Sequence, residues 1–142
     1  MPIKSAITAT LLAAALLFGS AASATADREA EQLARYEQFA KPPVQDMPFW
    51  RMDGYESLGR DAVMVWTSVK DAWLIRVYEP CSDLQWANSI GLTSNMHRVS
   101  TKFDFVLARK SRCMIKSIQP VDYRAYRDAK KQEDAAKKAG NK

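Results

Sequence analysis

The chain has 142 residues and a mass of 16.0 kDa, with 47% hydrophobic and 26% charged residues, a formal net charge of +5 and a sequence pI near 9.3. That length allows one domain and the apolar content is enough to build a core, which excludes a multidomain enzyme, a repeat array and a fully disordered chain. Five glycines and two cysteines exclude collagen-like and disulfide-dense scaffolds.

Residues 1–26 read as a secretory signal peptide: Lys4 supplies one cation, Ala6 to Phe18 an uncharged apolar run, and Gly19 to Ala26 a small-residue stretch. The apolar run is shorter than the roughly 20 residues that cross a bilayer as a helix, so cleavage is expected rather than anchoring. Ala24-Thr25-Ala26 puts the cut between Ala26 and Asp27, with Ala22-Ser23-Ala24 as a second candidate. No cysteine lies beside the cut to accept a lipid, so the expected product is periplasmic or secreted and not a lipoprotein.

Residues 27–45 read as a helical arm and Pro-rich linker. Ala30, Leu33, Tyr36 and Ala40 fall near one helix face, and Pro42-Pro43 ends it. From residue 46 to 122 the pattern is β. Phe49 to Leu58 can supply one strand, while Asp61 to Ser68 and Ala72 to Tyr78, separated by a polar break at Val69-Lys70-Asp71, predict a hairpin. In its second strand Trp73, Ile75 and Val77 share one face, with Leu74, Arg76 and Tyr78 on the other. In its first, Val63 and Val65 oppose Met64 and Trp66, so both faces are apolar and the strand is central or covered.

Ser82 to Ile90 reads as a short helix capped by Ser82 or Asp83, with Leu84, Trp86 and Ala87 placed to cover a barrel mouth. A weaker strand follows at Asn95 to Ser100, then a stronger one at Phe103 to Ala108 with Phe103, Phe105 and Leu107 alternating. A polar turn at Arg109 to Arg112 leads to a last strand at Cys113 to Ile118. The expected fold class is mainly β (α+β): a small antiparallel, partly closed sheet of five or six strands, one short covering helix, an N-terminal helical arm, and a charged helix or tail over residues 123–142.

In an oxidising compartment the even pair Cys81 and Cys113 is expected to form a disulfide rather than a metal or redox site, tying the short helix to the last strand. Closing a loop of roughly 33 residues removes about 3.7 kcal/mol of denatured-chain entropy.

The positive charge sits mostly at the C-terminus. Residues 127–142 carry six cations and three anions, whereas residues 27–126 carry 14 and 13. No basic groove is visible and nucleic acid is not an expected partner. Opposite charges at i,i+4, namely Arg124 with Asp128, Lys130 with Asp134, Glu133 with Lys137 and Asp134 with Lys138, predict a solvated helix whose contact with anionic envelope surfaces is weak and salt-sensitive.

Catalytic signatures are missing. His97 is the single histidine, and no zinc, P-loop, dinucleotide or nucleophile-elbow motif is present, so no catalytic residue, no metal site and no cofactor is expected. Met96-His97 alone falls short of a copper site, which needs several convergent soft ligands. The carboxylate pairs Asp53 with Glu56 and Asp61 with Asp71 lie near turns, where Asp bonds to backbone. Trp66 and Trp73 read as core. Trp50 and Trp86, beside Tyr55 or Tyr78, are the candidate ligand-facing aromatics.

The succession VMVWTS, AWLIRVYEPC, IGLTS, KFDFV and CMIKSIQPVD, within Phe49 to Asp122, resembles a family of small exported proteobacterial proteins of unknown function. Its most specific part is Pro80-Cys81 with Cys113, Ile115 and Ile118. The resemblance implies export and a shared disulfide-bearing fold, and it brings no catalytic residue. Lipoprotein members carry a lipobox cysteine that this chain lacks. The function expected is a non-enzymatic interaction or structural module that meets an envelope protein. The alternative is a binder or inhibitor of envelope hydrolases or glycans, although the SGxxY-type loop of known lysozyme inhibitors is absent.

Overall fold

The computed structural model describes residues 21–141. The expected signal peptide lies largely outside these residues. Ten regular elements follow in order: α1 (Ala21–Glu37), β1 (Asp46–Pro48), β2 (Gly54–Ser57), β3 (Ala62–Trp66), β4 (Ala72–Val77), β5 (Ile90–Leu92), β6 (Arg98–Ser100), β7 (Phe105–Ala108), β8 (Ser111–Val121) and α2 (Tyr123–Gly140), with a 3-10 turn at Leu84–Trp86.

The fold is mainly β, as its sequence pattern predicts. Six strands form one nearly closed antiparallel sheet in the order β2-β3-β4-β8-β7-β5, and β1 pairs with β6 beside it. The strand β8 is the spine. Its C-terminal half pairs with β4 and its N-terminal half with β7, and Val44 and Ala40 bridge to Ile118 and Val121. The register slips by one residue where Arg76 faces Ser117 and Val77 faces Ile115, leaving Lys116 as a bulge. A bulge bends and twists its strand, and this one lies where β8 changes partners.

The expected hairpin of β3 and β4 is present, turned by Ser68, whose Oγ accepts from the Lys70 and Asp71 backbone N–H groups and donates to the Asp71 carboxylate at 2.7 Å. The two apolar faces of β3 serve two cores. Val63 and Val65 join Ile75, Val77, Leu84, Val99, Val106, Ile115 and Ile118 inside the sheet's curve, and Ala62 and Met64 join Leu74, Tyr36 and Tyr126 beneath the helices on its outer face. Trp73 packs on the first core and Trp66 on the second, so both expected core tryptophans are partly buried.

Two expectations are corrected and two are refined. The Ser82 to Ile90 helix contracts to the Leu84–Trp86 turn, and Ile90 opens β5 instead. Asp83 stands at the N-cap of that turn, as expected, but its side chain makes no capping bond and its carboxylate instead accepts from the Ser111 hydroxyl at 2.6 Å. The alternation in β7 runs opposite to size: Val106 and Ala108 are buried while Phe103 and Leu107 are exposed. The four expected charge pairs along α2 do not form, and Glu133 reaches across to Arg35 of α1 at 3.4 Å.

Both helices cover the half of the outer face formed by β2, β3 and β4. The helix α1 contributes Leu33 and Tyr36 and ends at Glu37, before the proline pair, and α2 is capped by Asp122, which accepts from Ala125 N–H at 3.0 Å. Arg76 on β4 joins Glu37 and Asp61, fixing the end of α1 over the sheet. Cys81 and Cys113 form the expected disulfide with Cα atoms 5.8 Å apart, pinning the 3-10 turn to β8.

Candidate functional site

The outer sheet face continues past the helices onto β7 and β8 with nothing described above it. Strand pairing sets Phe105 opposite Met114 and Leu107 opposite Arg112, and the inward positions between them, Val106 and Cys113, are filled by the core. Tyr78 joins the row because its N–H bonds to the Met114 carbonyl at 2.9 Å. Gly91 faces Leu107 across β5 and β7, and with no side chain there the flank of Leu107 stays open. The result is an apolar strip with Tyr78 51%, Met114 48% and Leu107 36% exposed, and Phe103, 78% exposed, stands in the turn before β7.

Cations frame this strip. The Arg112 guanidinium lies 4.7 Å from the Phe105 ring centre and the Lys116 ammonium 5.9 Å from that of Tyr78. Residues 98–116 hold six cations and one anion, and that anion, Asp104, is buried. The local imbalance is legible in the sequence, but the near-neutral total of residues 27–126 conceals it.

The four candidate aromatics do not form one platform. Trp50 is 76% exposed and stacks on His97 with ring centres 3.7 Å apart and planes 14° off parallel. Trp86 is 63% exposed on the 3-10 turn. Tyr55 is half-buried, its hydroxyl donating to the Ala87 carbonyl at 3.1 Å, and Tyr78 lies under Lys116. No ring contact joins any two of them among the described residues. Met96 and His97 are the two central residues of a turn closed by reciprocal bonds between Asn95 and Arg98, with φ of 47° and 58°. Side chains rarely adopt such angles, and this turn seats His97 beneath Trp50.

The carboxylates weighed as acid–base pairs are engaged separately. Asp53 pairs with Arg51 at 2.8 Å, Glu56 accepts from the Tyr36 hydroxyl at 2.6 Å, Asp61 faces Arg76 and Asp71 accepts from Ser68. Among the described residues no group of three or more His, Cys, Asp or Glu side chains could hold a metal ion.

With the fold and its bare face established, comparison gives one relationship: a model of a family of unknown function, DUF6491, matches residues 3–137. The chain belongs to this family. No curated protein and no solved structure matches it. Membership in the family assigns no activity, so a functional reading rests on the surface just described.

Proposed function

We propose that the protein is an exported, non-enzymatic interaction module of the bacterial envelope that docks an acidic partner protein on the bare β7–β8 face. One observation carries this reading: the same sheet face is covered by two helices over β2 to β4 and left apolar and open over β7 and β8. Contiguous apolar surface of this kind costs solvation free energy unless a partner covers it. The basic rim selects the partner's sign, because two copies meeting through this face would oppose Arg112 and Lys116 with like charges.

Export is supported by the signal-peptide pattern of residues 1–26 and by the Cys81–Cys113 disulfide, which suits an oxidising compartment. Cleavage before Asp27 retains Gln32, Leu33, Arg35, Tyr36 and Glu37, five α1 side chains that pack on or bond to the rest of the fold.

The test places a photo-crosslinking residue at Leu107 or Met114, with Lys137 on the exposed end of α2 as control, in cells of the native host. The expected result is one protein captured from both face positions and not from the control, with crosslinks in an acidic segment. Arg112→Glu with Lys116→Glu should abolish capture. No capture from the face, or equal capture from Lys137, overturns the reading.

The exposed Trp50 favours a second reading as a glycan binder, since one indole face is braced by His97 and the other is free to meet a sugar ring. Quenching of Trp50 fluorescence by chitooligosaccharide is expected on that reading, and no quenching at millimolar ligand refutes it.

A further inference from the structure

On the helix-covered side, a cleft of about 400 Å³ runs between α2 and the β3–β4 turn, lined by Val69, Lys70, Tyr123, Arg124, Arg127 and Lys131. Arg124, Arg127 and Lys131 share one face of α2 by their three- and four-residue spacing, and Lys70 meets them from the turn. None of the four cations makes an ion pair among the described residues, although Asp128 stands within the same cleft. The Arg124–Asp128 pair predicted from sequence would have consumed one of them. Four cations held together without partners repel one another, and a concave surface concentrates their field on whatever enters.

The wall of this cleft is fixed. Tyr123 stacks on Tyr126 with ring centres 5.7 Å apart and planes 16° off parallel, and Trp66 meets Tyr123 edge-on at 5.6 Å. Tyr126 is buried, and its hydroxyl accepts from Gln32 of α1 at 2.8 Å, so both helices hold the aromatic stack in place. The cleft thus joins a flat apolar wall to a cationic rim that includes two guanidinium forks.

From this arrangement we infer that the cleft binds a phosphate group carried on a sugar-like ring. Arginine forks match phosphate oxygens in pairs, which a lysine cannot do. The lysines add charge, the carrier ring lies on Tyr123, and Asp128 accepts from a carrier hydroxyl. The cleft's size falls within the range of small-molecule sites. The site is separate from the β7–β8 face and does not depend on the reading given for that face.

The test follows backbone amide NMR signals of the purified protein during titration with glucose 6-phosphate, with glucose and inorganic phosphate as comparisons. In parallel, co-sedimentation with phosphatidylglycerol–phosphatidylcholine vesicles is compared with phosphatidylcholine alone. Glucose 6-phosphate is expected to shift Lys70, Tyr123 and Arg127 saturably, more tightly than inorganic phosphate, while glucose shifts nothing. Arg127→Lys, which keeps the charge and loses the fork, should weaken binding roughly 5- to 10-fold. Lys137→Ala with Lys138→Ala, which removes more charge from the far end of α2, should leave binding unchanged.

Co-sedimentation with phosphatidylglycerol vesicles without a response to glucose 6-phosphate, abolished by Arg124→Ala with Arg127→Ala, shows binding of phosphate without a ring and overturns the inference of a ring-bearing phosphate carrier. A response to glucose 6-phosphate alone identifies a soluble one. Binding that falls as much in the Lys137 and Lys138 variant as in Arg127→Lys, or no binding to either probe, overturns the inference.

Discussion

Asp104 is the one charged side chain buried among the described residues, and its bonds explain how a carboxylate persists there. One oxygen accepts from the Thr93 hydroxyl and the other from the Ser100 N–H, both at 2.7 Å, while Thr93 Oγ1 accepts from the Phe105 N–H at 2.8 Å. A single side chain just before β7 therefore ties the end of β6 to the residue that follows β5. Asp104→Ala leaves these donors without a partner and should cost about 2–3 kcal/mol. Asp104→Asn, which keeps one carbonyl oxygen, should cost less, and denaturant midpoints giving equal losses would refute a hydrogen-bonding role. At the same scale, Cys81→Ser opens the 32-residue separation closed by the disulfide and should lower stability by roughly 3–4 kcal/mol in the chain-entropy model. An unchanged melting temperature would show that the bond restrains little.

The helix α2 divides in two. Tyr123 and Tyr126 pack in its first turn, whereas residues beyond Arg127 are largely solvent-exposed. Removing residues 127–142 should leave near-ultraviolet circular dichroism intact, because the tie this segment makes to α1 is a solvent-exposed pair between Arg35 and Glu133, worth at most about 1 kcal/mol. Tyr126→Ala in the whole chain should instead cost about 3 kcal/mol or more, since it empties the aromatic stack. If the truncation unfolds the protein, α2 contributes more than its packing indicates.

Elements of this kind mark the limit of what was legible in the sequence. The β3–β4 hairpin and the two-faced burial of β3 follow from local pattern, because each depends on neighbours in the chain, and the cysteine pairing follows because the chain has two cysteines and one way to pair them. The strand β7 does not: alternation shows that two faces exist, but not which one is the core. Val106 and Ala108 fill the inner face, so the larger side chains of β7 lie outside and form the candidate docking face. The Glu133 contact and the β5 strand were hidden for a related reason, since each is settled by a partner distant in sequence. The three-residue β5 is too short to show any period at all.

At the scale of the whole molecule, alkaline titration reports whether α1 is seated. Burial first, and the Glu56 carboxylate second, push the Tyr36 phenol above its ordinary value near 10. A folded-state value above the unfolded one means that the neutral phenol's contribution is complete below about pH 10 and is lost as pH rises through the folded value. The denaturant midpoint should therefore fall with increasing pH above about 10. Tyr36→Phe should flatten that decline, and an identical slope would show that the phenol does not govern it.

The position of β8 also has a consequence for when the molecule takes shape. The strand that joins both halves of the sheet is the last of the eight, and it carries Cys113. Synthesis and passage through a secretion channel both deliver the N-terminus first. The earlier strands can pair only piecemeal until Val121 has emerged, and the sulfur bridge must wait as well. On the proposed export route, late arrival of the central strand keeps the chain threadable for nearly its whole length, then closes sheet and crosslink together on the far side.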